Sequence, residues 1–234
     1  MRATETSSMT ARSLVLGLTA LLVLLSAGDA WATTITLTNP GFETPALSDG
    51  AAVYSVTGWT PNNTGVAGTW NPPVTAYPSE APEGLNVAFV NGNANYIVQN
   101  LSGVFVTADT IYTLEMDLGK RLDNNGGTWL YSVELIIANT IDVAGILAQD
   151  FSSLSPSAGQ FLTSTVTYTA PSSGLLIGKP LAIRLRSWGV EQINVDDVRL
   201  TFVPEPSSLL LLGSGLMGIC GLRRRVRSSE ESSK

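Results

Sequence analysis

The chain reads as an all-β protein whose body is an antiparallel β-sandwich. Apolar residues recur at period two rather than 3.6, and β-branched and aromatic residues crowd the alternating segments. Gly, Asn, Asp or Pro separates each segment from the next. Strands are expected at 34–38, 53–57, 86–90, 96–100, 110–118, 129–137, 142–147, 161–168, 181–187 and 192–202. Short strands in that number, with turn signals between them, fit a sandwich.

Ahead of the first strand lies an export signal. Arg2 and Arg12 supply a positive start, 14–25 is apolar, and Ala30-Trp31-Ala32 fits the small-x-small rule. Signal peptidase is therefore expected to cut after Ala32, leaving a mature chain from Thr33. The body then spans 33–203, enough for one domain with a real core.

Faces follow from the alternation. In 110–118, Tyr112, Leu114, Met116 and Leu118 point to the core, while Thr113, Glu115 and Asp117 face outward. In 181–187, Leu181, Ile183 and Leu185 are expected inside, with Arg184 and Arg186 on the water side. Between the second and third strands, 58–84 reads as one long loop rich in Asn, Gly and Pro. A loop of that length in a compact domain usually has a function or moves.

Composition removes several function classes. The body carries six basic residues against fourteen acidic ones. It therefore lacks the positive patch that nucleic acid or an anionic membrane surface needs, and no nucleic-acid partner is expected. The chain has no histidine, which excludes Ser-His-Asp and Cys-His catalysis and histidine zinc sites. Its one cysteine, Cys220, lies in the apolar tail, so the body folds without disulfides.

That tail has three parts. Pro204-Glu205-Pro206 fixes φ twice and removes two backbone donors, which keeps the chain extended and open to a processing enzyme. An uncharged stretch, 208–222, follows and is read as a short transmembrane helix. A basic anchor at 223–227, Arg223-Arg224-Arg225-Val226-Arg227, would leave 228–234 in the cytoplasm. The three parts together resemble the PEP-CTERM protein-sorting signal, here 204–227. The resemblance implies processing by exosortase at or near Pro204, Glu205 and Pro206. It also implies an exported protein of a Gram-negative bacterium, first anchored in the inner membrane by the C-terminal helix, then placed on the surface or in the extracellular matrix.

Two further motifs bracket the body: Asn39-Pro40-Gly41-Phe42-Glu43 near its start and Asn194-Val195-Asp196-Asp197-Val198 near its end. They resemble the galactose-binding-like jelly roll of bacterial carbohydrate-binding modules. That resemblance implies a structural calcium with Glu43 and Asp196 as ligands and Asp197 as a weaker one, oxygen donors being what Ca²⁺ takes. The alternative is that Glu43 and Asp196 only accept hydrogen bonds from turn N–H groups.

Sugar binding is the activity this resemblance suggests. Trp70, Tyr77 and Trp129 could offer rings to a pyranose face, and Asn71 and Asn124 could meet its hydroxyls. The expectation is accordingly a non-catalytic exported protein that binds or organises extracellular polysaccharide. The alternatives are a structural or adhesive surface protein without a specific ligand, or a glycoside hydrolase using paired carboxylates.

Overall fold

The structure, a computed structural model, describes residues 31–123, 126–140 and 143–204. The apolar signal segment, the tail beyond Pro204 and Asn124 lie outside the described residues. Among the described residues no helix is long and apolar enough to cross a membrane.

Among the described residues twelve strands run in chain order: β1 Thr33–Ile35, β2 Ala52–Val53, β3 Thr60–Pro61, β4 Ala67–Trp70, β5 Val87–Val90 and β6 Tyr96–Phe105. They continue as β7 Thr110–Lys120, β8 Tyr131–Ile137, β9 Ile146–Phe151, β10 Gln160–Thr169, β11 Pro180–Ser187 and β12 Ile193–Pro204. A first sheet has the order β10-β7-β12-β5-β4-β2, with β1 also on β12. A second sheet has the order β3-β6-β11-β8-β9. The strand pairings are antiparallel, and the sandwich read from the sequence stands.

Apolar alternation builds the core between the sheets. Tyr112, Leu114, Met116 and Leu118 of β7 are buried as expected, and they face Leu181, Ile183 and Leu185 of β11 in the same cluster. β12 shows a break in the pattern: Ile193 and Val195 point inward, then Val198 and Leu200 do. The extra residue is absorbed at Asp197, whose φ is +44°. This local bulge turns Asp196 into a buried side chain.

Three expectations need correction. The segment 58–84 is not one loop, because it contains β3 and β4. The strand placed at 142–147 starts later, after a single 3₁₀ turn at Val143–Gly145, and runs over Ile146–Phe151. Arg184 is not on the water side. It is buried directly opposite Glu134 of β8 and donates from Nε to that equally buried carboxylate. The loop after β8, whose Thr140 carbonyl accepts from Arg184, and Trp188, which donates to Ser132 Oγ, cover this outer face. Period two assigns a side of the sheet, and solvent is absent from a side that loops cover.

Candidate active site

The site grows from a strand that is apolar on both faces. Ala88 and Val90 of β5 enter the inter-sheet core, whereas Val87 and Phe89 join a second cluster with Trp70, Ala76 and Tyr77. The chain after β4 folds back to complete this cluster. Tyr77 is fully buried there, its ring 4.4 Å from Phe161 and 6.3 Å from Trp70. Its hydroxyl donates to Asn194 Oδ1 at 2.9 Å, also in the interior. Burial pushes the Tyr77 phenol well above its ordinary value, so it stays a neutral donor. Gly68 lets β4 approach, since a Cβ there would stand 2.5 Å from the Phe89 ring and 2.1 Å from Val53 O.

Beside this cluster opens a cleft of about 460 Å³, within the range of small-molecule sites. Tyr54, Trp70 and Phe89 form its aromatic wall; Asn91, Arg121, Asp123 and Gln192 line it with polar groups. Tyr54 meets Phe89 edge-on at 5.5 Å and is largely exposed. Arg121, just past β7, lies 4.5 Å over the Trp70 ring, a cation–π contact. It donates from Nε to Asp123 Oδ1 at 2.8 Å and from one terminal nitrogen to Asp123 Oδ2 at 2.6 Å. Its other terminal nitrogen donates to Gln192 Oε1. The guanidinium beside Asp123 holds that carboxyl below its ordinary value, while the bond to Asp123 raises Arg121.

The residues singled out from the sequence scatter. Trp70 lines the cleft, mostly covered, and Tyr77 backs it. Trp129 packs edge-on against Tyr131 at 5.1 Å, beside the inter-sheet core. Asn71 donates to Leu47 O at 2.9 Å and ties a turn. Tyr54, Phe89, Arg121 and Gln192 were not singled out. The double-faced apolar run Val87-Ala88-Phe89-Val90 was the available signal, since a strand buried on both faces has something covering each.

The bracketing motifs do meet. Glu43 Oε1 accepts from Leu85 N at 2.9 Å and Asn86 N at 2.7 Å. Asp196 accepts from Glu83 N at 2.8 Å and Asp197 N at 2.7 Å. A Cβ on Gly41 would strike the Glu83 carboxylate, and one on Gly84 would strike that of Glu43. Burial pushes the Asp196 carboxyl up to about 8, with Glu83 and Asp197 adding to the rise and the two N–H bonds opposing it. Among the described residues no three acidic, His or Cys side chains already converge as a metal site.

Comparison with known proteins decides what kind of protein this is. Residues 33–201 match the HpiC1-like family, described as HpiC1 cyclase. The chain belongs to the HpiC1-like family. An apo cyclase from Fischerella sp. is 28% identical to this member, with a TM-score of 0.65 over 74% of this chain and 98% of that one. A Stig cyclase, Fisc, from Fischerella sp. TAU in complex with (3Z)-3-(1-methyl-2-pyrrolidinylidene)-3H-indole is 28% identical, with a TM-score of 0.66 over 75% and 100%. A cyclase from Fischerella sp. TAU in complex with 4-(1H-indol-3-yl)butan-2-one is 29% identical, with a TM-score of 0.64 over 74% and 98%. No curated protein matched the chain.

For this HpiC1-like protein the expectation of a non-catalytic polysaccharide organiser is overturned, and with it the expectation that the chain is not an enzyme. The matched family and its neighbours point to a cyclase enzyme. The likeness to carbohydrate-binding modules narrows to a shared β-sandwich. An arabinofuranosidase at 13% identity and a TM-score of 0.52 shares that fold alone. The sorting tail stands: 202–225 match the PEP-CTERM protein-sorting motif, which implies processing by exosortase and an exported, envelope-directed protein.

Proposed function

We propose that the protein is an exported cyclase that folds an aromatic, indole-like substrate in the cleft of Tyr54, Trp70 and Phe89 and closes a ring within it. The observation that carries this reading is the match of 33–201 to a cyclase family, met here by an aromatic cleft of ligand size. Ring closure joins two ends of one molecule. An enzyme contributes by holding the reacting atoms at about 3 to 3.5 Å and excluding water, a gain of up to ~7–11 kcal/mol over the free reaction. A wall of rings suits that task because it constrains an apolar chain without competing for it chemically. Arg121 can donate to an oxygen or nitrogen that gains negative charge as the ring closes.

The test uses the full-length protein and an indole bearing a pendant alkene. The expected product is an isomer of unchanged mass with a new retention time, formed at least about tenfold more slowly by Phe89→Ala. Absence of any isomer, together with no binding of 4-(1H-indol-3-yl)butan-2-one, overturns the reading.

Two structural features of the body support the finer account of export. β1 begins at Thr33, next to the signal-peptidase site at Ala32, and Thr33 pairs with Phe202 close to Pro204. Both processing points therefore lie at the ends of the folded body. In the host, the inner-membrane precursor is cut near Pro204-Glu205-Pro206 and the body passes to the surface or matrix. Mass spectrometry of the extracellular form should find a C-terminus close to that tripeptide, and an intact Lys234 there would refute the cut.

We also propose a structural calcium at the meeting of the bracketing motifs. Glu43 and Asp196 would hold it, with Asp197 a weaker ligand, oxygen donors being what Ca²⁺ takes. Calcium should raise the melting temperature and a chelator should lower it.

A further inference from the structure

The polar end of the cleft is unbalanced. Both carboxylate oxygens of Asp123 and the Oε1 of Gln192 accept from Arg121. Arg121 has five N–H groups and uses three of them in these bonds. One N–H on each terminal nitrogen has no partner among the described residues, and the Gln192 amide keeps its own two donors. The pairing with Asp123 fixes the guanidinium plane, and Trp70 supports one face of it. A rigid guanidinium with two free donors can receive a carboxylate or carbonyl oxygen.

The charges lean the same way. Asp123 is the more exposed partner, its side chain 45% exposed against 28% for Arg121. Both line the cleft, and solvent screens the more exposed carboxylate more than the cation. An ammonium group brought to this end would be repelled by a fixed guanidinium and would compete with it for the Asp123 carboxylate. Arg121 also occupies the Trp70 face, which leaves the exposed Tyr54 ring, backed edge-on by Phe89, to take the ligand's ring.

We infer that the cleft selects an aromatic compound whose polar end is a hydrogen-bond acceptor, anionic or carbonyl, and that Arg121 is the specificity-determining residue. The inference rests on the reading of the cleft as the substrate site.

Three probes of matched size separate the possibilities by titration calorimetry on the full-length protein: 3-(1H-indol-3-yl)propanoate, 4-(1H-indol-3-yl)butan-2-one and 3-(1H-indol-3-yl)propan-1-amine. The expected order is carboxylate, ketone, amine, with the carboxylate at least about tenfold tighter than the amine. Arg121→Gln should bring carboxylate and amine within about threefold of each other, and Arg121→Lys should keep part of the preference. Asp123→Asn removes the carboxylate charge while keeping Arg121 and one acceptor for it, and should widen the preference, which keeps the test open should Arg121→Gln fail to fold. Binding of all three with the amine equal or tighter, or a preference unchanged in Arg121→Gln, overturns the role of Arg121 and leaves the cleft as a binding site. Failure of the wild-type protein to bind any of the three overturns the cleft reading, and this inference with it.

Discussion

Replacing Tyr77 by alanine is expected to lower stability by about 3–5 kcal/mol, the usual cost of deleting a large buried ring. In a domain of this size that is a fall in melting temperature of roughly 10 °C. The ring stands between Phe161 and Trp70 and is fully buried, so its loss opens a void that the fixed strands β4 and β10 cannot close. Tyr77→Phe separates the hydroxyl from the ring. It keeps the packing but removes the donor to Asn194 Oδ1, which stays buried, and should cost about 1–3 kcal/mol. Because Trp70 rests on this cluster and Arg121 rests on Trp70, Tyr77→Ala should also weaken binding of the indole ketone. Chemical denaturation of both variants, read beside calorimetry, checks it. A Tyr77→Ala protein as stable as the wild type would mean that the second cluster contributes nothing to the fold.

What the sequence disclosed follows from where its signals are strong. β7 alternates without a break from Tyr112 to Leu118, and its faces could be assigned from the letters alone. β4 is Ala67-Gly68-Thr69-Trp70, with one β-branched residue and a glycine, and it was lost in a Gly- and Asn-rich stretch. Gly68 is there because the Phe89 ring lies against the backbone, a reason that only the folded chain supplies. Arg184 failed for a related reason, since its partner Glu134 is fifty residues away and only strand pairing puts them opposite. The bracketing motifs did meet, because strand order brings the start and end of the body together. The activity had no such signal. The cleft is assembled from Tyr54, Phe89, Arg121 and Gln192, which lie on four separate segments and form no motif. Aromatic residues with nearby Asn suggested a sugar, whereas the cleft sets Trp70 beside a guanidinium and is not lined by Asn71.

The buried proton of Asp196 should make the calcium-free protein lose stability as pH rises. Its carboxyl is pushed up to about 8 in the folded state, against 3.8 for the ordinary group expected in the unfolded chain. Between those values the folded protein keeps a proton that the unfolded chain releases, so the contribution is fully present below about pH 4 and is lost as pH climbs through 8. The span is on the order of 5 kcal/mol. Glu83 and Asp197 are the acidic groups that add to its rise, and among the described residues no salt bridge reaches its oxygens. Asp196→Asn cannot ionise and should flatten the profile in chelator, at the cost of one N–H acceptor. Calcium binds the ionised form, so in its presence the decline toward pH 8 should disappear. Urea midpoints at pH 4, 6 and 8, with calcium and with chelator, separate the two ideas. A flat profile in chelator refutes the buried proton, and identical profiles under both conditions remove calcium from the site.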